Sequence, residues 1–198
     1  MAARVDVRKT YKLYIGGKFP RSESGRSYEV YAAPTRAGAS PKFLANASQG
    51  SRKDARDAVT AARGAQAGWA GATAYNRGQV LYRVAEVMEG RRAQFVEEVR
   101  ASEGVSPSKA DSLVSQAIDR WVWYAGWSDK LPQVLGGLNP VAGPFFNISA
   151  PEPSGVVAVL APQESSLLGL VSVIAPAIVT GNSVVVVSSK ERPLPAIT

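Results

Sequence analysis

Polar and apolar positions alternate at the start of the chain. Lys12-Leu13-Tyr14-Ile15 runs into Gly16-Gly17, and Ser27-Tyr28-Glu29-Val30-Tyr31 alternates along its length. Both read as strands, with the glycine pair as a turn. Lys42 to Ala47 predicts a third short strand. After this the period lengthens to that of helices. Ser51 followed by Asp54 resembles a capping box, with Asp in place of Glu. Ala55, Ala58, Val59 and Ala62 then form a narrow apolar stripe, which Gly68 and Gly71 around Trp69 are expected to break. A second helix is predicted from near Thr73, with Val80, Leu81, Val84, Val87 and Met88 on its inner face and Gly90 as terminator. Ala93, Phe95, Val96 and Val99 predict a third helix that ends at Gly104. Ser106-Pro107 reads as N-cap and first residue of a long fourth helix. Its inner face would carry Ala110, Leu113, Val114, Ala117, Ile118, Trp121, Tyr124 and Ala125.

Residues 131–154 change character. Gly136-Gly137, Pro140, Gly143-Pro144, Pro151 and Pro153 mark an extended stretch, and Phe145 to Ile148 predicts an edge or ribbon strand within it. Gly155 to Leu160 is a fully apolar strand, Ser165 to Thr180 an apolar helix closed by Gly181, and Ser183 to Ser188 a second apolar strand. This order predicts a parallel βαβ unit with both faces of its strands covered. Pro193 to Thr198 reads as the start of another helix. Two parallel strands are too few for a complete sheet, which points to a truncated unit.

Composition narrows the chemistry. The 198 residues are 45% hydrophobic and 20% charged, as in a globular protein. There is no cysteine and no histidine. Thiolate catalysis, Cys/His zinc sites, disulfides and Ser-His-Asp hydrolysis are therefore excluded within these residues. The net charge of +7 raises the question of a nucleic-acid or membrane partner. Lys and Arg are scattered among acidic neighbours, as in Arg52-Lys53-Asp54-Ala55-Arg56-Asp57, and neither partner is expected. Met1 to Thr10 is polar, without the apolar centre of a signal peptide, and Leu167 to Thr180 is too short to span a bilayer. These features predict a cytoplasmic protein.

Several segments together resemble the aldehyde dehydrogenase superfamily. They are Tyr14-Ile15-Gly16-Gly17-Lys18-Phe19, the Ala-rich helix from Asp54 to Trp69, Asn76 to Leu81 and Tyr124 to Lys130 (similar to "YYAGWADK"). Glu152-Pro153-Ser154-Gly155-Val156 and Ala175 to Val185 complete the set, the last similar to "GPALATGNVVV". The resemblance implies an α/β fold of aldehyde-dehydrogenase type: an N-terminal β segment, a helical layer, then the first βαβ unit of a Rossmann-type parallel sheet. Residues 1–198 would be a partial dinucleotide-binding domain, with 136–153 as an oligomerisation ribbon and the catalytic domain absent. The implied activity is oxidation of an aldehyde with NAD or NADP.

Departures from the family fall where its chemistry should be. The resemblance places the cofactor at Leu160, Ala161, Pro162, Gln163, Val187 and Lys190. The family's "PWN" motif reads Pro162-Gln163-Glu164 here, so Glu164 stands where an asparagine would stabilise the oxyanion. An ionised carboxylate would instead repel it, by roughly 4 kcal/mol at about 4 Å and an effective dielectric of about 20. Glu164 could alternatively be protonated, or cap the helix from Ser165. Val187 and Lys190 occupy the places of a lysine and a glutamate that bind the adenosine ribose. Valine has no donor, and Lys190 is either a partner for a 2′-phosphate or a solvated loop residue. No catalytic residue is identified in the chain, which is expected to be inactive alone and to bind no dinucleotide tightly. Two readings follow: part of an aldehyde-oxidising enzyme, or a non-catalytic subunit. In either, the partner would be a second copy or a catalytic aldehyde dehydrogenase.

Overall fold

The computed structural model describes residues 9–34 and 40–198. The polar N-terminal segment through residue 8 lies outside them. Strands β1 (Thr10–Tyr11), β2 (Ser27–Tyr31) and β3 (Phe43–Ser48) form one sheet in the order β1-β3-β2. β1 runs parallel to β3 and β2 antiparallel to it, with Glu29 opposite Asn46. The expected strand over Lys12–Ile15 is displaced. That segment forms one arm of a narrow turn, in which Ile15 and Lys18 exchange backbone hydrogen bonds of 2.9 and 3.1 Å. Gly16 and Gly17 adopt φ of 58° and 76°, the left-handed pair that such a turn requires.

Four helices follow: α1 (Arg52–Gly71), α2 (Ala74–Gly90), α3 (Arg92–Glu103) and α4 (Pro107–Ala125). Ser51 and Asp54 form a reciprocal capping box at α1, Thr73 caps α2, and Ser106 precedes Pro107 as the cap of α4. Gly104 ends α3 at φ 67°. Gly68 does not break α1, which continues to Gly71, because a single glycine costs a packed helix only about 1 kcal/mol. The inner faces are narrower than the sequence predicts. On α2, Leu81, Ala85 and Met88 are buried, whereas Val80 and Val87 face solvent. On α1 only Ala62 of the expected stripe is buried, and Val59 is exposed.

The short helix α5 (Leu131–Leu135) was not legible in the sequence and leads into a ribbon. Here β4 (Gly137–Leu138) pairs antiparallel with β5 (Ile148–Ser149), so the expected strand Phe145–Ile148 is shifted towards its C-terminal end. The βαβ unit comprises β6 (Val156–Leu160), α6 (Leu168–Val179) and β7 (Ser183–Val187), and α7 (Leu194–Ile197) closes the chain. β6 and β7 are parallel, with Val156 opposite Ser183 and Leu160 opposite Val187. Helix α6 begins three residues later than predicted, because residues 163–167 are held in a loop by side-chain bonds. The strands are not covered on both faces. α1 and α6 pack against the pair, but Ala158 and Leu160, alternate residues on one face of β6, remain open to solvent.

The main core gathers α2, α3, α4 and α6 around Leu81, Val99, Val114, Leu167 and Val179. A smaller core joins Val30, Ala45 and Ala47 of the first sheet to Leu194 of α7.

Candidate functional site

The carboxyl ends of two parallel strands leave a crevice, the usual ligand position in a doubly wound sheet. Here the β6–β7 ladder extends one residue beyond the strands, with the Ala161 amide donating to the Val187 carbonyl at 2.9 Å. Two loops, 161–167 and 188–193, then rise above the strand ends.

The first loop is fixed from below. The Glu103 carboxylate, at the end of α3, accepts from both the amide and the hydroxyl of Ser166 at 2.7 Å. The Ser165 hydroxyl accepts from the Gly169 amide at 2.9 Å, inside the first turn of α6. Glu164 is exposed and lies ahead of that turn, so its carboxylate does not cap the helix. Its backbone carbonyl accepts from the Arg192 guanidinium.

Gln163 joins the two loops. Its Nε2 donates to the Ala161 carbonyl at 3.0 Å. Its Oε1 accepts from the Lys190 amide at 3.1 Å and from the Ser189 hydroxyl at 3.2 Å. Ser189 is buried and also accepts from the Arg192 amide at 3.1 Å. Leu160 and Val187 flank this bridge as apolar side chains that are 76% and 58% exposed. The structure thus brings the positions from Leu160 to Gln163 close to Val187 and Lys190. Glu103, Ser166, Ser189 and Arg192 were not singled out in the sequence. Their partners lie 26 to 63 residues away, so no local pattern marks them.

The sequence profile of the aldehyde dehydrogenase family matches residues 22–198. The chain belongs to the aldehyde dehydrogenase family. It is 31% identical to human aldehyde dehydrogenase 1A1 over 198 residues, covering 97% of this chain and 38% of the relative. It is also 31% identical to retinal dehydrogenase 2 of Gallus gallus over 197 residues, covering 98% and 36%. Among solved structures, a variant of the Bacillus cereus aldehyde dehydrogenase superposes with a TM-score of 0.87 at 26% identity, over 96% of this chain and 38% of that one. The NAD-dependent benzaldehyde dehydrogenase of Corynebacterium glutamicum gives 0.82 at 28% identity, over 93% and 39%. The chain therefore spans under two fifths of the length of these relatives.

Within this family frame, the motif residues prove to be scaffold. The indole of Trp69 donates to the Ile178 carbonyl at 2.8 Å, tying α1 to α6. Arg77 donates to the carbonyls of Val179, Ala70 and Ala72 at 3.2, 3.3 and 2.5 Å, gathering the C-terminal ends of two helices. Asn182 accepts from the Gly155 amide at 2.8 Å and donates to Ala177 and Thr180, at the end of the strands opposite the crevice. Gly181 beside it turns at φ 92°.

The crevice does not match a dinucleotide's needs as its scaffold matches the family's. A ribose diol needs donors and acceptors that are free to meet it. Leu160, Ala161, Pro162 and Val187 have no polar side-chain atom. The polar groups of Gln163 and Ser189 are engaged with one another and with backbone. Of these positions Lys190 alone keeps a side-chain donor outside this network, and a lone ammonium offers no acceptor to a ribose diol.

Proposed function

We propose that this chain acts by assembly, as a non-catalytic portion of an aldehyde-dehydrogenase-type particle, and does not by itself oxidise aldehydes with NAD or NADP. The carrying observation is the ribbon region, where Val134, Leu135, Leu138, Phe145, Phe146 and Ile148 are all more than half exposed. Such an apolar surface on a short, two-stranded edge needs cover, from another chain or from further residues of this protein. The partner is a second copy or a catalytic aldehyde dehydrogenase. The crevice supports the same reading, since Glu164 stands where the resemblance to the family places an asparagine.

A second reading has one observation in its favour, the preserved βαβ unit with its Gly181-Asn182 turn. In it the chain is part of an NAD(P)-dependent aldehyde oxidoreductase whose other parts supply the nucleophile and base. NAD is the cofactor named for the Corynebacterium glutamicum neighbour. No helix among the described residues is long and apolar enough to cross a membrane. A relative from Elephantulus edwardii is named a cytosolic aldehyde dehydrogenase, which supports a cytoplasmic setting.

Two measurements separate the readings. Purified chain incubated with an aldehyde and NAD or NADP should give no reduced nicotinamide by absorbance; steady turnover contradicts the non-catalytic reading. When the chain is mixed with a catalytic aldehyde dehydrogenase, native mass spectrometry should show self-assembled or mixed particles. Persistent separate monomers contradict assembly.

A further inference from the structure

Two side chains cross the space above the strand ends, Gln163 from the first loop and Arg192 from the second. Gln163 reaches from the loop after β6 to the loop after β7, and both ends of its amide are used. A backbone N–H only donates, so the atom facing the Lys190 amide is the oxygen, and the network fixes the orientation of the side chain. Ser189, 3% exposed, receives this bridge and passes it on by accepting from the Arg192 amide. Arg192 in turn reaches back to the Glu164 carbonyl. The two loops are therefore joined twice, by groups that satisfy each other.

We propose that Gln163 determines access to this crevice: it is a latch, seated on Ser189, that holds the two loops together and closes the strand ends to a nucleoside ribose. To admit a ribose, Gln163 must swing away from both the Lys190 amide and the Ser189 hydroxyl. The Lys190 amide would then lose its acceptor, and the buried Ser189 hydroxyl would keep, as donor, only its longer bond, 3.4 Å, to the Gln163 backbone carbonyl. The proposal rests on reading the chain as one that does not carry the dinucleotide by itself. Its test is made at individual amides, so its failure is distinct from a failure to assemble.

The experiment is amide hydrogen exchange by NMR on the 198-residue chain. The Lys190 amide should be protected in the wild type. Gln163→Ala should speed exchange there by roughly fivefold, the size of effect a neutral hydrogen bond gives. Gln163→Glu keeps the acceptor and should retain protection at Lys190. The Leu81 amide in the core of α2 should be unchanged in each variant, reporting an intact fold. Should Gln163→Ala not fold, Ser189→Ala gives the same reading at the Arg192 amide, which loses its acceptor. Unchanged exchange at Lys190 in Gln163→Ala, or at Arg192 in Ser189→Ala, overturns the latch. So does a several-fold slowing of Lys190 exchange in the wild type by millimolar NAD, because a ligand would then be entering with Gln163 in place.

Discussion

Asp54 sits buried at the head of α1, where three groups donate to its carboxylate: the Ser51 amide and Ser22 hydroxyl at 2.7 Å, and the Glu23 amide at 3.1 Å. Burial alone would raise its pKa, but these hydrogen bonds outweigh it and hold the group at about 2, below its ordinary 3.8. The depressed value fixes the sign of the pH dependence: the stability Asp54 contributes is complete above about pH 4 and is lost as pH falls towards 2. Asp54→Ala should cost about 1–3 kcal/mol in urea unfolding at pH 7, with the difference from wild type shrinking in acid. Glu98 behaves in the opposite way. Partial burial raises its pKa, against the pull of Thr198, Gln94, Arg91 and Lys9, and among the described residues its Oε2 has no hydrogen-bond partner. A raised carboxyl pKa means that ionisation opposes folding, so this cost is present at neutral pH and relieved as pH falls through the folded value. Glu98→Gln should therefore raise Tm at pH 7, and calorimetry at progressively lower pH should show the gain fading.

The starts of α1 and α4 and the end of α3 were legible because they are written in local chemistry. Ser51 with Asp54, Ser106 with Pro107, and Gly104 each form the cap their residue types suggest. What each helix buries was less legible, because that depends on partners distant in sequence. The outward Val80 and Val87 belong to a run of valines that reads as one face. Only contact with α4 and α6 selects Leu81, Ala85 and Met88 for the core. Gly78 shows the same dependence. A Cβ there would lie 2.5 Å from the Ser128 hydroxyl and 2.9 Å from the Ala125 carbonyl. In an exposed helix, Gly→Ala usually stabilises. Gly78→Ala should instead destabilise by about 1–3 kcal/mol in denaturant titration, because the close approach to the end of α4 forces a backbone shift. Trp69→Phe, which loses the bond to Ile178 and leaves that carbonyl without this donor, should cost about 1 kcal/mol in the same assay.

For the whole molecule, the order of elements and the family were readable from motifs spread along the chain, and those motifs turn out to hold helices and strands together. The candidate site was readable only in part. The sequence marked Gln163, Glu164, Val187 and Lys190 as departures, but not the bridge that Gln163 makes, because that bridge depends on Ser189 and on two loops meeting above paired strands. Nor did it reveal that one face of β6 stays open at Ala158 and Leu160. We propose that the family scaffold has been kept for assembly, with the ribbon region as its exposed surface. Multi-angle light scattering across a concentration series tests this most directly. The wild-type chain should self-associate, and Phe145→Ser with Phe146→Ser should shift it towards monomer without altering its circular dichroism. A wild-type chain that stays a clean monomer at high concentration would contradict the claim.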